Sequence, residues 1–277
     1  MNENVYFPLT QDVDMDSLLS RAKQVYIKNG PVELLRAGRD WLYSKCKSII
    51  KTQIYGLPLI DDWCYQKSSG RLQERMENEE EFRDAIETVH EYQGYGNYKS
   101  IKPMQGIKPL EQLLDNVAEI EPETVVEIGT ARGGTFYLMV RFLKSADKFV
   151  SVNLGWSFGY KYKKKLLEKI DPDKKLSFIV GDSHDKSTYE RVRQATDSEV
   201  DFIFIDGDHS YDGVKQDFEM YKDLVCEGGI IAFHDIQHQH SRVDVDEFWR
   251  EIKTEYETKE IGISPERATG GIGLVFV

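Results

Sequence analysis

Two hydrophobic periods divide the chain. From Glu123 onward, short and nearly continuous apolar runs alternate with stretches in which apolar residues recur every three or four positions. The runs predict strands at Thr124–Ile128, Lys148–Val152, Leu176–Val180, Asp201–Ile205 and Gly229–Phe233. The other stretches predict helices at Thr135–Leu143, Lys161–Ile170, Ser187–Ala195, Asp212–Leu224 and Val245–Tyr256. Final strands are predicted near Lys259–Ile263 and Gly273–Val277. Strands this apolar are buried on both faces, so the pattern predicts an α/β fold with a mostly parallel sheet covered by helices on both faces.

Before this region the pattern is helical and charged. Ser17–Tyr26 places apolar residues at helical spacing, Gly30-Pro31 breaks it, and Val32–Ile50 resumes it with Leu34, Leu35, Leu42 and Ile49. Gly56, Pro58 and Gly70 read as loop markers, and Arg71–Tyr92 as one more helix. Its acidic run, Glu77 to Glu81, reads as a solvated face. The basic stretch Arg36 to Lys51, with its Trp and Tyr, reads as a docking helix; contact with a membrane surface or a partner is the other reading. The change of character near residues 95–120 divides the chain into a helical N-terminal extension, 1–95, and an α/β domain, 96–277.

Composition narrows the function classes. With 277 residues and 40% hydrophobic content, the chain can bury a core of ordinary size. No apolar run approaches the roughly 18 residues of a membrane span. The first residues lack a basic segment followed by an apolar one, so a cytoplasmic protein without a secretory signal is expected. The formal charge of −12, from 36 basic and 48 acidic residues, argues against nucleic-acid binding. Cys46, Cys64 and Cys226 are far apart, which suits reduced thiols and no cysteine metal site.

Parallel sheets bind ligands at the carboxyl ends of their strands. After the first strand stands Glu127-Ile128-Gly129-Thr130-Ala131-Arg132-Gly133-Gly134. Glycines permit a sharp turn, and the following helix offers free N–H groups. Gly129, Ala131 and Gly134 resemble a degraded dinucleotide fingerprint, but Glu127 would repel a pyrophosphate, and the second strand ends in Asn153 rather than an acid. A cationic ligand fits better. The turn Gly181-Asp182-Ser183-His184-Asp185 either meets an adenine edge or simply caps a helix through Asp185 or Ser187. Asp206-Gly207-Asp208-His209 and His234-Asp235 end neighbouring strands and can converge. Their carboxylates and imidazoles suit a divalent cation, and a histidine there can take a substrate proton. Asp212 reads as a helix cap, and His238 with His240 as a polar loop rather than a metal pair.

The segments EIGTARGGT (127–135), GDSHD (181–185), FIDGDHSYDGVKQDFEMY (204–221), GGIIAFHDI (228–236) and GIGLVFV (271–277) resemble the class I S-adenosylmethionine-dependent methyltransferases. Within that class they are similar to cephalosporin-hydroxylase-like proteins and macrolide-sugar O-methyltransferases. The resemblance runs from Gln105 to Val277 and implies a Rossmann-like seven-stranded sheet. It implies that Gln105, Glu127, Gly129, Gly133, Gly134, Asn153, Asp182, Ser183 and Asp206 hold S-adenosylmethionine. It further implies that Asp206, His234 and Asp235 ligate a divalent cation, magnesium or manganese, and that His209 is the general base. Asn153 and His234 depart from the pattern, since relatives usually carry acids at both positions. The implied reaction is methyl transfer to a hydroxyl of a small polyol, sugar or phenol, by a chain that could pair with itself. The alternatives are a metal-dependent hydroxylase or lyase on the same scaffold, or a cofactor-binding module without turnover.

Overall fold

A computed structural model of the chain describes residues 58–77, 79, 81–155, 160–238, 244–263 and 269–277. The helices expected at Ser17–Tyr26 and Val32–Ile50, the basic stretch Arg36 to Lys51, Cys46 and His240 lie outside the described residues. Residues Asp61–Val277 make one compact unit.

Seven strands form one sheet: β1 (Thr124–Ile128), β2 (Lys148–Asn153), β3 (Lys175–Val180), β4 (Val200–Ile205), β5 (Val225–His238), β6 (Glu257–Ile261) and β7 (Thr269–Phe276). Their order is β3-β2-β1-β4-β5-β7-β6. The first five run parallel, and β7 runs antiparallel to both β5 and β6. The order reverses between β1 and β4, whose registers align Ile128 with Ile205. Chain connections leave that point in opposite directions, which opens a crevice beyond the strand ends.

The helices are α1 (Pro58–Met76), α2 (Phe82–Glu91), α3 (Ile107–Glu119), α4 (Gly134–Phe142), α5 (Tyr160–Leu167), α6 (Lys186–Ala195), α7 (Tyr211–Tyr221) and α8 (Val245–Ile252). The single helix expected over Arg71–Tyr92 is two. Helix α1 ends at Met76, whose carbonyl accepts from Arg141 Nη2 at 3.1 Å. Carboxylates four apart, Glu77 and Glu81, oppose one continuous turn, and Glu79 instead accepts a hydrogen bond from Thr88 Oγ1 at 2.9 Å. Gly70, expected in a loop, lies within α1 where a side chain would meet open space. Helix α3 buries Leu110, Leu113, Leu114 and Val117, one stripe at helical spacing that no expected element covered.

Strand β1 is buried along its whole length, as a central strand must be. On one side of the sheet Phe218 of α7, Phe233 of β5, and Phe248 and Trp249 of α8 interlock with ring centroids 5.7–6.0 Å apart. This packing holds α7 and α8 against β4 and β5, the two strands whose ends carry the polar clusters. Strand β5 runs well past the expected Gly229–Phe233 because β7 pairs with it as far as His238. Phe218→Ala removes the α7 ring that makes two of these contacts. Urea denaturation followed by circular dichroism should show a loss of about 3–5 kcal/mol.

Candidate functional site

The turn after β1 is pressed against the protein's own backbone. Gly129 has φ 93°, and a Cβ there would lie 2.0 Å from the Asp206 carbonyl oxygen. A Cβ on Gly134 would lie 2.0 Å from the Ile101 carbonyl oxygen. Gly133, at φ 83°, caps α4. Ala131 is also left-handed, at φ 46°, and its N–H is accepted by Asn153 Oδ1 at 3.0 Å. Asn153 Nδ2 in turn donates to the Leu154 carbonyl at 2.9 Å. Asn153 therefore braces the turn, which leaves one N–H and one lone pair for a ligand.

Glu127 lies beneath this turn. It is 2% exposed, and its Oε2 has no hydrogen-bond partner. Burial pushes its carboxyl up to about 8, and the charge of Asp206 adds to the shift, while a hydrogen bond with Thr130 opposes it. A buried carboxyl with an open oxygen suits a cation that arrives from outside, such as an ammonium.

Asp206 leaves the end of β4 and is the hub of the next cluster. Its Oδ2 accepts from Gln105 Nε2 at 2.7 Å, and Thr135 Oγ1 fixes that amide by donating to Gln105 Oε1 at 2.8 Å. Its Oδ1 lies 2.8 Å from His234 Nδ1 and 3.2 Å from His209 Nε2. The other nitrogen of His209, Nδ1, lies 3.1 Å from Asp235 Oδ2, and His234 Nε2 lies 3.5 Å from Asp235 Oδ1. Neighbouring residues on a strand point to opposite faces. His234 and Asp235 nevertheless reach one cluster, because Asp235 has φ 60° and the β5–β7 register shifts between His234 and Gln237.

The electrostatics follow from these contacts. Burial alone would raise the Asp206 carboxyl, but His234 and His209 hold it well below the usual carboxylate range. Hydrogen bonds to Asp206 and Asp235 push His209 up to about 10. Burial works against a charge on His234, yet Asp206 pulls that ring upward as well. Asp206 and Asp235 thus favour the protonated ring of His209, which acts as a base only once that proton has left. Asp206, His209 and His234 can each offer one ligand atom within 4.8 Å of the others, a donor set that fits a divalent cation.

Beyond β3, the Asp182 carboxylate accepts the His184 N–H at 3.0 Å, and the Ser183 carbonyl accepts from Tyr221 at 2.9 Å. Asp185 is the N-cap residue of α6 by position but makes no side-chain cap bond. Asp212, expected as a cap, stands in the first turn of α7. The cap is Ser210, whose Oγ accepts from Gly213 N at 3.1 Å, because Asp208 turns the chain there by accepting the Ser210 N–H at 2.9 Å.

A cavity of about 710 Å³ brings together Gly129, Asn153, Asp182, Ser183, Asp206, His209, His234 and Asp235. Gln105, Glu127, Gly133 and Gly134 line a smaller space that shares Gly129 and Asp206 with it. His184, expected only as part of the Gly181–Asp185 turn and given no role of its own, also lines the cavity. The side chain of His238 lies outside the described residues.

The family model described as a methyltransferase domain matches residues 126–236. An uncharacterized protein of Acanthamoeba polyphaga mimivirus is 31% identical over 126 residues, which are 45% of this chain and 56% of that protein. An uncharacterized protein of Sinorhizobium fredii is 23% identical over 141 residues, which are 49% of this chain and 16% of that protein. The chain thus spans about half of the first relative's length and a small part of the second's. Among solved structures, an O-methyltransferase from Bacillus cereus in complex with SAH has a TM-score of 0.53 at 17% identity, over 77% of this chain and 100% of that one. The O-methyltransferase TomG from Streptomyces achromogenes, solved with SAM, has a TM-score of 0.53 at 14% identity, over 72% and 91% of the two chains. The fold is shared with these O-methyltransferase structures, and residues 126–236 match the methyltransferase-domain model.

Burial makes an ionised Glu127 costly. Its carboxyl ionises at about 8 when folded and near 4.5 when unfolded, so stability falls as pH rises between those values. Glu127→Gln should raise Tm by about 5 °C at pH 8, with the gain shrinking towards pH 4.5, as read by scanning calorimetry.

Proposed function

We propose that the chain transfers the methyl group of S-adenosylmethionine to a hydroxyl oxygen of a small molecule such as a sugar, polyol or phenol. The observation that carries this reading is the Asp206, His209, His234 and Asp235 cluster opening onto a cavity whose other walls are a glycine turn and a polar turn. The O-methyltransferase neighbours support it at the level of fold.

In this reading the unpartnered Glu127 oxygen meets the cofactor's ammonium, and Gly129, Gly133 and Gly134 let the turn lie close. Asn153 meets the ribose with the one donor and one acceptor it has left, and Asp182 and Ser183 meet the adenine edge. Gln105 holds the Asp206 carboxylate in place between cofactor and acceptor. A divalent cation held by Asp206 with His234 and Asp235 would supply positive charge that makes an acceptor hydroxyl more acidic. His209, 28% exposed, takes the hydroxyl proton as the oxygen attacks the methyl carbon in line with the departing sulfur. An imidazolium beside a sulfonium is disfavoured by like charge, which would lower His209 towards the neutral form when both substrates are present.

A second reading rests on the donor set. Two imidazoles and one carboxylate, from His209, His234 and Asp206, suit iron(II) or manganese better than magnesium and match metal-dependent oxygenation. There His209 is a ligand and cannot be a base.

His209→Ala separates the two. For a base, the rate of methyl transfer from labelled S-adenosylmethionine should fall by about 10²–10⁴, with SAH and manganese affinities within about threefold of wild type. For a ligand, manganese binding itself is lost. A wild-type protein that binds neither S-adenosylmethionine nor SAH in calorimetry removes the methyl-transfer proposal.

A further inference from the structure

The cavity wall holds a charged pair that methyl transfer does not use. Asp217, on α7, is 0% exposed, and neither of its carboxylate oxygens has a hydrogen bond. A buried carboxylate needs a counter-charge. Among the described residues, that charge is His184, whose Nε2 lies 3.3 Å from Asp217 Oδ1 and 3.1 Å from the Gly213 carbonyl. The N–H on Nε2 points to these two groups, so the ring is anchored from below by α7.

The other edge of the ring is open. His184 is 21% exposed and lines the cavity beside Asp182 and Ser183. Its Nδ1 lies 3.7 Å from Asp182 Oδ1, too far for a hydrogen bond. The Asp217 carboxylate, 3.3 Å from Nε2, also pushes the ring up to about 9, so Nδ1 carries a hydrogen as well. A donor, His184 Nδ1–H, therefore stands beside an acceptor, the Asp182 carboxylate. Adenine presents the complement, an exocyclic amine that donates and a ring nitrogen that accepts. Hypoxanthine presents the reverse, a carbonyl that accepts and a ring N–H that donates.

We infer that His184, held by Asp217, is a further cofactor-binding residue that selects adenine by donating from Nδ1 to a ring nitrogen while Asp182 accepts from the amine. This rests on the S-adenosylmethionine reading and deepens it. Asp182 alone would favour an amine but would not distinguish the neighbouring ring position.

The test compares SAH with its deaminated analogue, S-inosylhomocysteine, by calorimetry on the full chain. Wild type should bind SAH at least about tenfold more tightly than the analogue. His184→Ala should weaken SAH about 10- to 100-fold, the usual worth of one hydrogen bond from a charged donor, and change the analogue by less than about threefold. His184→Gln keeps an N–H donor and much of the side-chain volume, and should recover part of the discrimination. An equal loss for both ligands, or no loss for SAH, would overturn the inference and leave the methyltransferase reading standing. A wild type that binds neither ligand would overturn the reading on which it rests.

Discussion

One buried carboxylate organises the site. Asp206 touches the loop before α3 through Gln105, the β5 end through His234 and its own turn through His209, while its backbone closes over Gly129. No other described side chain joins so many of the segments beyond the strand ends. The sheet's registers explain why one residue can do this. Strands β1 and β4 end at matching heights, with Ile128 beside Ile205, and Phe233 of β5 lies beside Ile205. A residue one step beyond β4 is therefore level with the end of β1 and with His234 of β5.

This arrangement sets two buried acids against each other. Asp206 is surrounded by donors and keeps its charge, whereas Glu127 has an open oxygen and is pushed towards the neutral form. Each raises the cost of ionising the other. In the proposed reading a cationic ligand near the pair would relieve Glu127, and binding and folding stability would then be linked through it.

The sheet was legible because each strand carries its own signal. Thr124–Ile128 is five consecutive buried residues, and a central parallel strand has no other way to read. Helix α3 was passed over although Leu110, Leu113, Leu114 and Val117 mark it. Gly106 and Pro109 look like loop punctuation, but Pro109 falls in the first turn, where its missing N–H has no intrahelical partner to lose. The ends of β5 were illegible for a different reason, since its length is set by a partner strand more than thirty residues on. The site residues stood out by their places after strands. Their mutual contacts did not, and Asp217 in particular reads as one polar residue on an amphipathic helix until the fold puts it under His184.

The backbone at Asp235 restricts how this site can diverge. At φ 60° a residue with a branched or bulky side chain is strained, so position 235 favours aspartate, asparagine and glycine. His234, by contrast, sits on regular strand and pairs in register with Ile272. In a lineage of such proteins, new chemistry at this cluster would enter through position 234, where histidine, glutamate and aspartate are equally compatible with the backbone. Position 235 would stay nearly fixed whatever the reaction, a constraint set by chain geometry and independent of the substrate.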